Sequence, residues 1–458
     1  MASQIFLACE NMKAVKWLLP GMKVKRWITL SSLGILLISL GLAIIFNEEI
    51  IGNIERKLIL LVYMVTKHFP ASFSAIAGLA IIFIGLVLVV TGFRKTIKSM
   101  MGALLPDSEE KLVELVYQRR QLERGAKLVV IGGGTGLSTL LRGLKRYTSN
   151  ITAIVTVADD GGSSGRLRQE LGILPPGDLR NCLVALADTE PLMEKLFQYR
   201  FNGGSALSGH NFGNLFIAAM LGITEDFQQA LQESSKVLAV KGRVLPSTLD
   251  EMVLCAELAD GTIVKGESNV SRSNGQIERL FLECDDCSPL PEALEAIREA
   301  DAVILGPGSL YTSIMPNLLV PGILEAIRET EALKVYVCNV MTQPGETDGF
   351  TASDHTRKLV EQLGMGVLDY VVVNSKPISQ ELRQRYREEG SVPVRIDEEE
   401  LRNLDVEMIE ADLINQTDVI RHNSLKLGRA LMRLIVKRRN GWDRRSLIDF
   451  YLLERLMR

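Results

Sequence analysis

Cysteine and histidine are both scarce in this chain, with six and four among its 458 residues. Cys9, Cys182, Cys255, Cys284, Cys287 and Cys338 are scattered, which suits a reduced compartment and argues against a disulfide framework. Cys284-Asp-Asp-Cys287 is the only close pair. A zinc site would need two more ligands at short spacing, and His68, His210, His355 and His422 lie far off along the chain. Two free thiols and no metal centre are therefore expected. The net charge of −3 gives no general attraction for nucleic acid, which is not expected as a partner. Internal repeats and low-complexity tracts are also absent.

Charge is missing altogether from two long stretches. Trp27–Phe46 holds 20 residues and Phe69–Phe93 holds 25, with no Asp, Glu, Lys, Arg or His in either. Each can cross a hydrocarbon core, which takes roughly 20 apolar residues in a helix. A cleaved signal peptide would have a shorter core and no second span ending in basic residues. Lys13, Lys16, Lys23, Lys25 and Arg26 precede the first stretch, and Arg94, Lys95 and Lys98 follow the second. Positive charge at both outer ends predicts a multi-pass protein of the cell membrane with both termini cytoplasmic. Spans without ionisable groups serve as an anchor rather than a transport path. Leu58–Thr66 is apolar but too short to span; it either extends the second helix or lies in the interface.

The composition changes after Met101. Residues 1–101 read as the anchor, 102–126 as a charged linker helix, 127–438 as a nucleotide-binding α/β domain and 439–458 as an amphipathic tail. Lys127-Leu-Val-Val-Ile131 runs into Gly132-Gly-Gly-Thr-Gly136, and Leu137, Leu140, Leu141 and Leu144 follow at helical spacing. Ile151–Val157, Val237–Val240, Ala302–Leu305, Lys334–Cys338 and Tyr370–Val373 read as further short strands, alternating with helices such as 291–299, 322–329 and 356–363. That alternation predicts a Rossmann-like, three-layer α/β/α fold with a mostly parallel sheet, preceded by two transmembrane helices. Met252–Leu258 and Thr262–Val264 flank Ala259-Asp-Gly261, a hairpin turn, and would be an antiparallel insertion or edge. The chain turns amphipathic through Leu425–Val436 and Leu447–Leu456, which predicts a helix closing on the sheet or touching a membrane surface.

Glycine and polar residues cluster after these strands. Gly133, Gly134, Thr135 and Gly136 open a helix, where missing Cβ atoms let backbone N–H groups approach a phosphate. The spacing departs from a dinucleotide fingerprint, because Leu137 stands where a third glycine would. Asp159 and Asp160 end the second strand and could hold a ribose, orient a metal or act on a hydroxyl, against a plain solvated turn; Gly161-Gly-Ser-Ser-Gly165 follows. Arg180 beside Asn181 could clamp phosphate or pair with Asp178. His210, Asn211 and Asn214 precede an apolar helix, where a packing or capping role competes with ligand contact. Gly306, Gly308, Ser309 and Tyr311 follow another strand, as does Asn339. All six clusters are expected at C-terminal strand ends, where open α/β sheets bind ligands.

Val129-Val-Ile-Gly-Gly-Gly-Thr-Gly136, Ala158-Asp-Asp-Gly-Gly162, Pro175-Pro-Gly-Asp-Leu-Arg180, Gly209-His-Asn-Phe-Gly-Asn214, Gly306-Pro-Gly-Ser-Leu-Tyr-Thr312 and Thr342-Gln-Pro-Gly-Glu-Thr347, in this order, resemble the YvcK/CofD-like family over about residues 127–438. One branch of that family is 2-phospho-L-lactate transferase, which uses a guanylyl-activated donor. The other, labelled gluconeogenesis factor, binds UDP-sugars and is tied to bacterial cell shape and wall synthesis on gluconeogenic carbon. The 306–312 segment is similar to the second branch. The resemblance implies UDP-N-acetylglucosamine or another UDP-sugar as ligand, held at Gly133–Gly136 and Gly306–Ser309, and it names no catalytic residue. The expected partners are the bacterial inner membrane, through the hairpin, together with cell-envelope synthesis proteins and a second copy of the chain. A transferase would be the alternative, and the hairpin lies outside the resemblance.

Overall fold

The computed structural model describes residues 25–46, 73–104, 119–188, 191–204, 207–273, 275–284, 287–416 and 419–438. It divides the chain into two compact units, Met1–Tyr117 and Gln118–Arg458. In the first unit, helices α1 (Lys25–Phe46) and α2 (Phe73–Leu104) pack side by side. Windows at Arg26–Ala43 and Gly78–Ser99 are long and apolar enough to cross a membrane. The second helix runs past the expected Phe93 to Leu104, carrying Arg94, Lys95 and Lys98 beyond the apolar stretch. Arg26 and Lys95 lie 4.7 and 4.4 Å from the Trp27 ring centroid, so basic residues from both outer flanks meet there. Leu58–Thr66 and the 439–458 tail lie outside the described residues, as does most of the 102–126 linker.

Glycine sets how closely the two helices approach. Gly34 and Gly41 of α1 face Gly85 and Gly78 of α2, an antiparallel seam with one glycine every second turn. A Cβ on Gly85 would stand 2.7 Å from the Gly34 carbonyl oxygen and 2.8 Å from Ile38 Cγ1. Small residues allow backbones to meet in lipid, where packing rather than water exclusion drives association. Replacing Gly85 with leucine is expected to push the helices apart by about 2 Å, within the range that side-chain size sets for helix pairs. Spin labels on the exposed Leu36 and Phe83 would register the change as a longer distance; an unchanged one would show that the seam does not set the spacing.

The second unit is built on a seven-stranded sheet in the order β10-β9-β8-β7-β1-β2-β3, parallel throughout. Its strands are β1 (Leu128–Gly132), β2 (Ile151–Val155), β3 (Arg243–Pro246), β7 (Ala302–Leu305), β8 (Leu333–Val337), β9 (Tyr370–Asn374) and β10 (Glu407–Ala411). The chain builds outward from β1 to β3, then returns to place β7 against the other side of β1. That reversal opens a crevice beyond the C-terminal ends of β1 and β7, the usual ligand position in such sheets. Residues in β1, β2 and β7 are buried throughout, as expected for strands covered on both faces.

Helix α3 (Gly134–Leu144) follows β1, and its stripe Leu137, Leu140, Leu141 and Leu144 is fully buried. Helices α4 (Gly162–Leu171), α5 (Gly177–Leu186), α6 (Pro191–Gln198), α7 (Phe212–Thr224) and α8 (Phe227–Val237) separate β2 from β3. The expected strand at Val237–Val240 is instead the end of α8 and a turn with Ala239 at positive φ; the strand comes later, at β3. The hairpin β4 (Val253–Leu258)–β5 (Ile263–Lys265) forms as expected and joins β6 (Ile277–Glu283) in a separate three-stranded sheet, so it is an insertion rather than an edge. Cys284 and Cys287, expected as free thiols, are joined in a disulfide after β6, because the three-residue spacing brings their Cα atoms to 5.7 Å. Strands β11 (Ile414–Gln416) and β12 (Ile420–His422) make a small hairpin of their own. The last described helix, α9 (Ser424–Arg438), buries Leu427, Leu431, Met432 and Ile435, and its Gly428 lies against Gly143 of α3. This is the closing helix of the sheet, not a surface-seeking one.

Candidate functional site

A cleft of about 500 Å³ opens where β1 and β7 end, within the size range of small-molecule sites. One wall is the glycine turn. Gly133 caps α3 with no side-chain bond and Gly134 takes φ +65°, so neither puts a side chain there and the Asp178 carboxyl can lie against the turn. The opposite wall is the loop after β7. A Cβ on Gly136 would run into the Pro307 carbonyl oxygen and stand 2.8 Å from its carbon, so the loops touch only because position 136 is glycine. Asn339, after β8, donates to the Gly308 carbonyl at 2.8 Å, and Gln343 donates to Ser309 Oγ at 2.6 Å. These bonds stiffen the second wall, and Thr312 and Ser313 complete it.

The floor is acidic. Asp159, Asp178 and Glu267 all line the cleft. Asp178 accepts from the Gly134 N–H, and burial followed by repulsion from Asp159 pushes its carboxyl up to about 6. Burial, Asp159 and Asp160 push Glu267 up to about 7. Carboxyls held near neutral pH can donate as well as accept, which suits hydroxyl-rich ligands. Among the described residues, no three carboxylates, imidazoles or thiols converge as a metal site. The β11–β12 hairpin brings Arg421 and His422 to the rim. Burial pulls His422 down to about 4, leaving it neutral, and its Nε2 finds no protein partner among the described residues.

Of the residues expected at the site, Gly133, Gly134, Thr135, Gly136, Asp159, Gly308, Ser309 and Asn339 face this cleft. Arg180, Asn181 and Asn211 line a neighbouring compartment instead. Asp160 accepts from the Ser268 N–H at 2.9 Å and holds the inserted segment in place. His210 Nδ1 meets Ser163 Oγ at 3.2 Å, and Asn214 donates to the same oxygen, so both lock the first turn of α4 to the start of α7. Asn211 caps α7 by accepting from Gly213 N–H. Gly306 turns the chain at φ +77°, and Tyr311 is buried. Neither lines the cleft. No ion pair joins Asp178 to Arg180; the arginine bonds Asn214 and Asn181 instead. The 175–181 and 209–214 clusters open α5 and α7 rather than closing strands, so four of the six clusters, not all, sit at strand ends. Glu267, Arg421 and His422 also line the cleft and lie outside the six clusters, because the inserted sheet and the β11–β12 hairpin carry them in from distant segments.

The model of the family described as 2-phospho-L-lactate transferase CofD matches residues 128–414. A putative gluconeogenesis factor of Clostridium acetobutylicum is 47% identical over 453 residues, covering 97% of both chains. The gluconeogenesis factor of Bacillus subtilis is 54% identical over 310 residues, covering 68% of this chain and 98% of its own. An X-ray structure of a Bacillus halodurans protein superposes with a TM-score of 0.66 at 54% identity, covering 68% of this chain and all of that one. The Clostridium match extends through the N-terminal helices, which the motifs alone left outside the likeness. Fold, glycine loops and matches agree: the chain belongs to the CofD/YvcK family.

Proposed function

We propose that this protein binds a UDP-sugar, such as UDP-N-acetylglucosamine, and acts as a membrane-anchored regulator of cell shape and wall synthesis during gluconeogenic growth. The observation that carries the reading is the meeting of two bare glycine loops at the sheet's switch point, with the α3 N-terminus facing the cleft. A diphosphate would sit against Gly133–Gly136 and Gly308–Ser309. Asp159, Asp178 and Glu267 would take ribose or sugar hydroxyls, and His422 Nε2 would gain a partner. The names of the Clostridium and Bacillus relatives support the regulatory role. The hairpin would hold the domain at the cytoplasmic face of the inner membrane, where wall precursors are used. A second copy of the chain and proteins of envelope synthesis are its proposed partners.

Calorimetry on the full chain in lipid nanodiscs is expected to show UDP-N-acetylglucosamine binding, with GDP and NAD much weaker. Tighter GDP binding would overturn the reading. A second reading, a transferase acting on a nucleotide-activated donor, draws on the raised carboxyls of Asp178 and Glu267, which can exchange protons near neutral pH. Turnover of a guanylyl-activated phospholactate with a deazaflavin acceptor would establish it. A reporter fused after Arg458 is expected on the cytoplasmic side, and a periplasmic signal would contradict the anchor.

A further inference from the structure

Beside the cleft lies a compartment of about 320 Å³ whose lining includes four arginines, Arg142, Arg180, Arg200 and Arg421, and no carboxylate. Thr135, Thr139 and Arg421 belong to both spaces, so the two are continuous. Arg142 is paired with Glu194 at 3.0 Å. The other three touch no carboxylate among the described residues. Arg180 donates to the side-chain oxygens of Asn214 at 2.9 Å and Asn181 at 2.7 Å, and its Nε is buried without a partner. Arg200 donates to the Gly209 carbonyl at 2.7 Å. Burial first, and the nearby Arg200 second, pull Arg180 down to about 10, against the opposing pull of Asp178 and Asp159. A largely buried guanidinium with no carboxylate in direct contact costs free energy that a bound anion recovers, and its planar fork matches phosphate or carboxylate oxygens.

We propose that this compartment is a second anion site, which takes a phosphate- or carboxylate-bearing small molecule while a nucleotide occupies the cleft. Thr135, Ser138, Thr139 and Arg142 line it along one face of α3. At helical rise, Arg142 stands about 10 Å along the axis from Thr135. A diphosphate seated at the α3 N-terminus therefore cannot also reach the far end of the compartment. Arg421, shared by both spaces, couples the two sites.

The proposal rests on the nucleotide reading only for what fills the cleft, and the test separates them. Full-length protein in nanodiscs, saturated with UDP-N-acetylglucosamine, is titrated calorimetrically with inorganic phosphate. One phosphate is expected to bind. Arg200→Gln is expected to weaken phosphate by about tenfold, about 1.4 kcal/mol, and to leave UDP-sugar affinity within about twofold. Arg142→Gln, a second and partly exposed position, is expected to do the same, whereas Arg421→Gln weakens both. Phosphate that competes with the UDP-sugar, or Arg200→Gln weakening both ligands equally, would make the arginines a clamp for the nucleotide itself and overturn the proposal. So would the absence of phosphate binding. Arginine-dependent phosphate binding without any UDP-sugar binding would uphold the second site and overturn the nucleotide reading alone.

Discussion

Replacing Gly136 with alanine is expected to abolish ligand binding in the cleft and to destabilise the α/β unit. The added Cβ meets backbone on the facing loop, the Pro307 carbonyl and the Gly308 nitrogen at 3.1 Å, and neither can rotate away as a side chain would. Overpacking of this kind costs about 1–3 kcal/mol. The larger effect falls on binding, because relief requires the two walls to separate and pulls the α3 N-terminus off the ligand. A loss of about 100-fold, near 2.8 kcal/mol, is expected by calorimetry with UDP-N-acetylglucosamine. Gly222→Ala is the control. Gly222 lies within α7, where an added Cβ would point into open space, so alanine there should leave binding unchanged and raise stability by up to about 1 kcal/mol. Equal behaviour of the two variants would show that the loop contact does not shape the site.

The acidic floor leads to the second large effect. Glu267 ordinarily titrates at 4.5 and is pushed up to about 7 here. The folded chain therefore holds this proton more tightly than the unfolded one. Stability falls as pH rises from about 4.5 through about 7, and above that the full cost of the buried charge is present. Asp178, raised to about 6, works in the same direction over a lower window. Glu267→Gln removes the charge but keeps the shape. It is expected to raise Tm at pH 8 by about 3 °C and to leave Tm at pH 4.5 within about 1 °C. Binding should follow the same sense: a diphosphate beside Glu267 and Asp178 favours their protonated forms, so wild-type affinity declines through pH 6–7 and the variant's declines less. A Tm difference that does not change with pH would rule out Glu267 as the titrating group.

Much of the architecture is legible in the sequence. The leucine stripe of α3, the apolar runs of β1, β2, β7, β8 and β9, and the two uncharged spans each announce their element by local periodicity. The edge strands were not legible. Glu407–Ala411 is flanked by solvent and reads as charged, and Arg243–Pro246 carries an arginine and a proline. Edge strands need not be apolar, so no run marks them. The glycine seam of the hairpin is also visible as a seven-residue spacing, yet only the packed helices show that it faces inward.

At the site, the sequence by itself determined where ligand-approachable backbone lies. Glycine's missing side chain at 133, 134, 136 and 308 is a local property that survives any packing arrangement. Side chains are different. Asp159 and Asp160 are neighbours in the chain, yet one faces the cleft and the other binds the Ser268 N–H. His210 and Asn214 look like ligand contacts and serve instead as braces for Ser163. A polar side chain can satisfy its hydrogen bonds with a ligand or with the framework, and only the placement of β7 against β1 and of the inserted segments decides which. The same tertiary placement gathers Arg180, Arg200 and Arg421 from separate parts of the chain into one basic compartment.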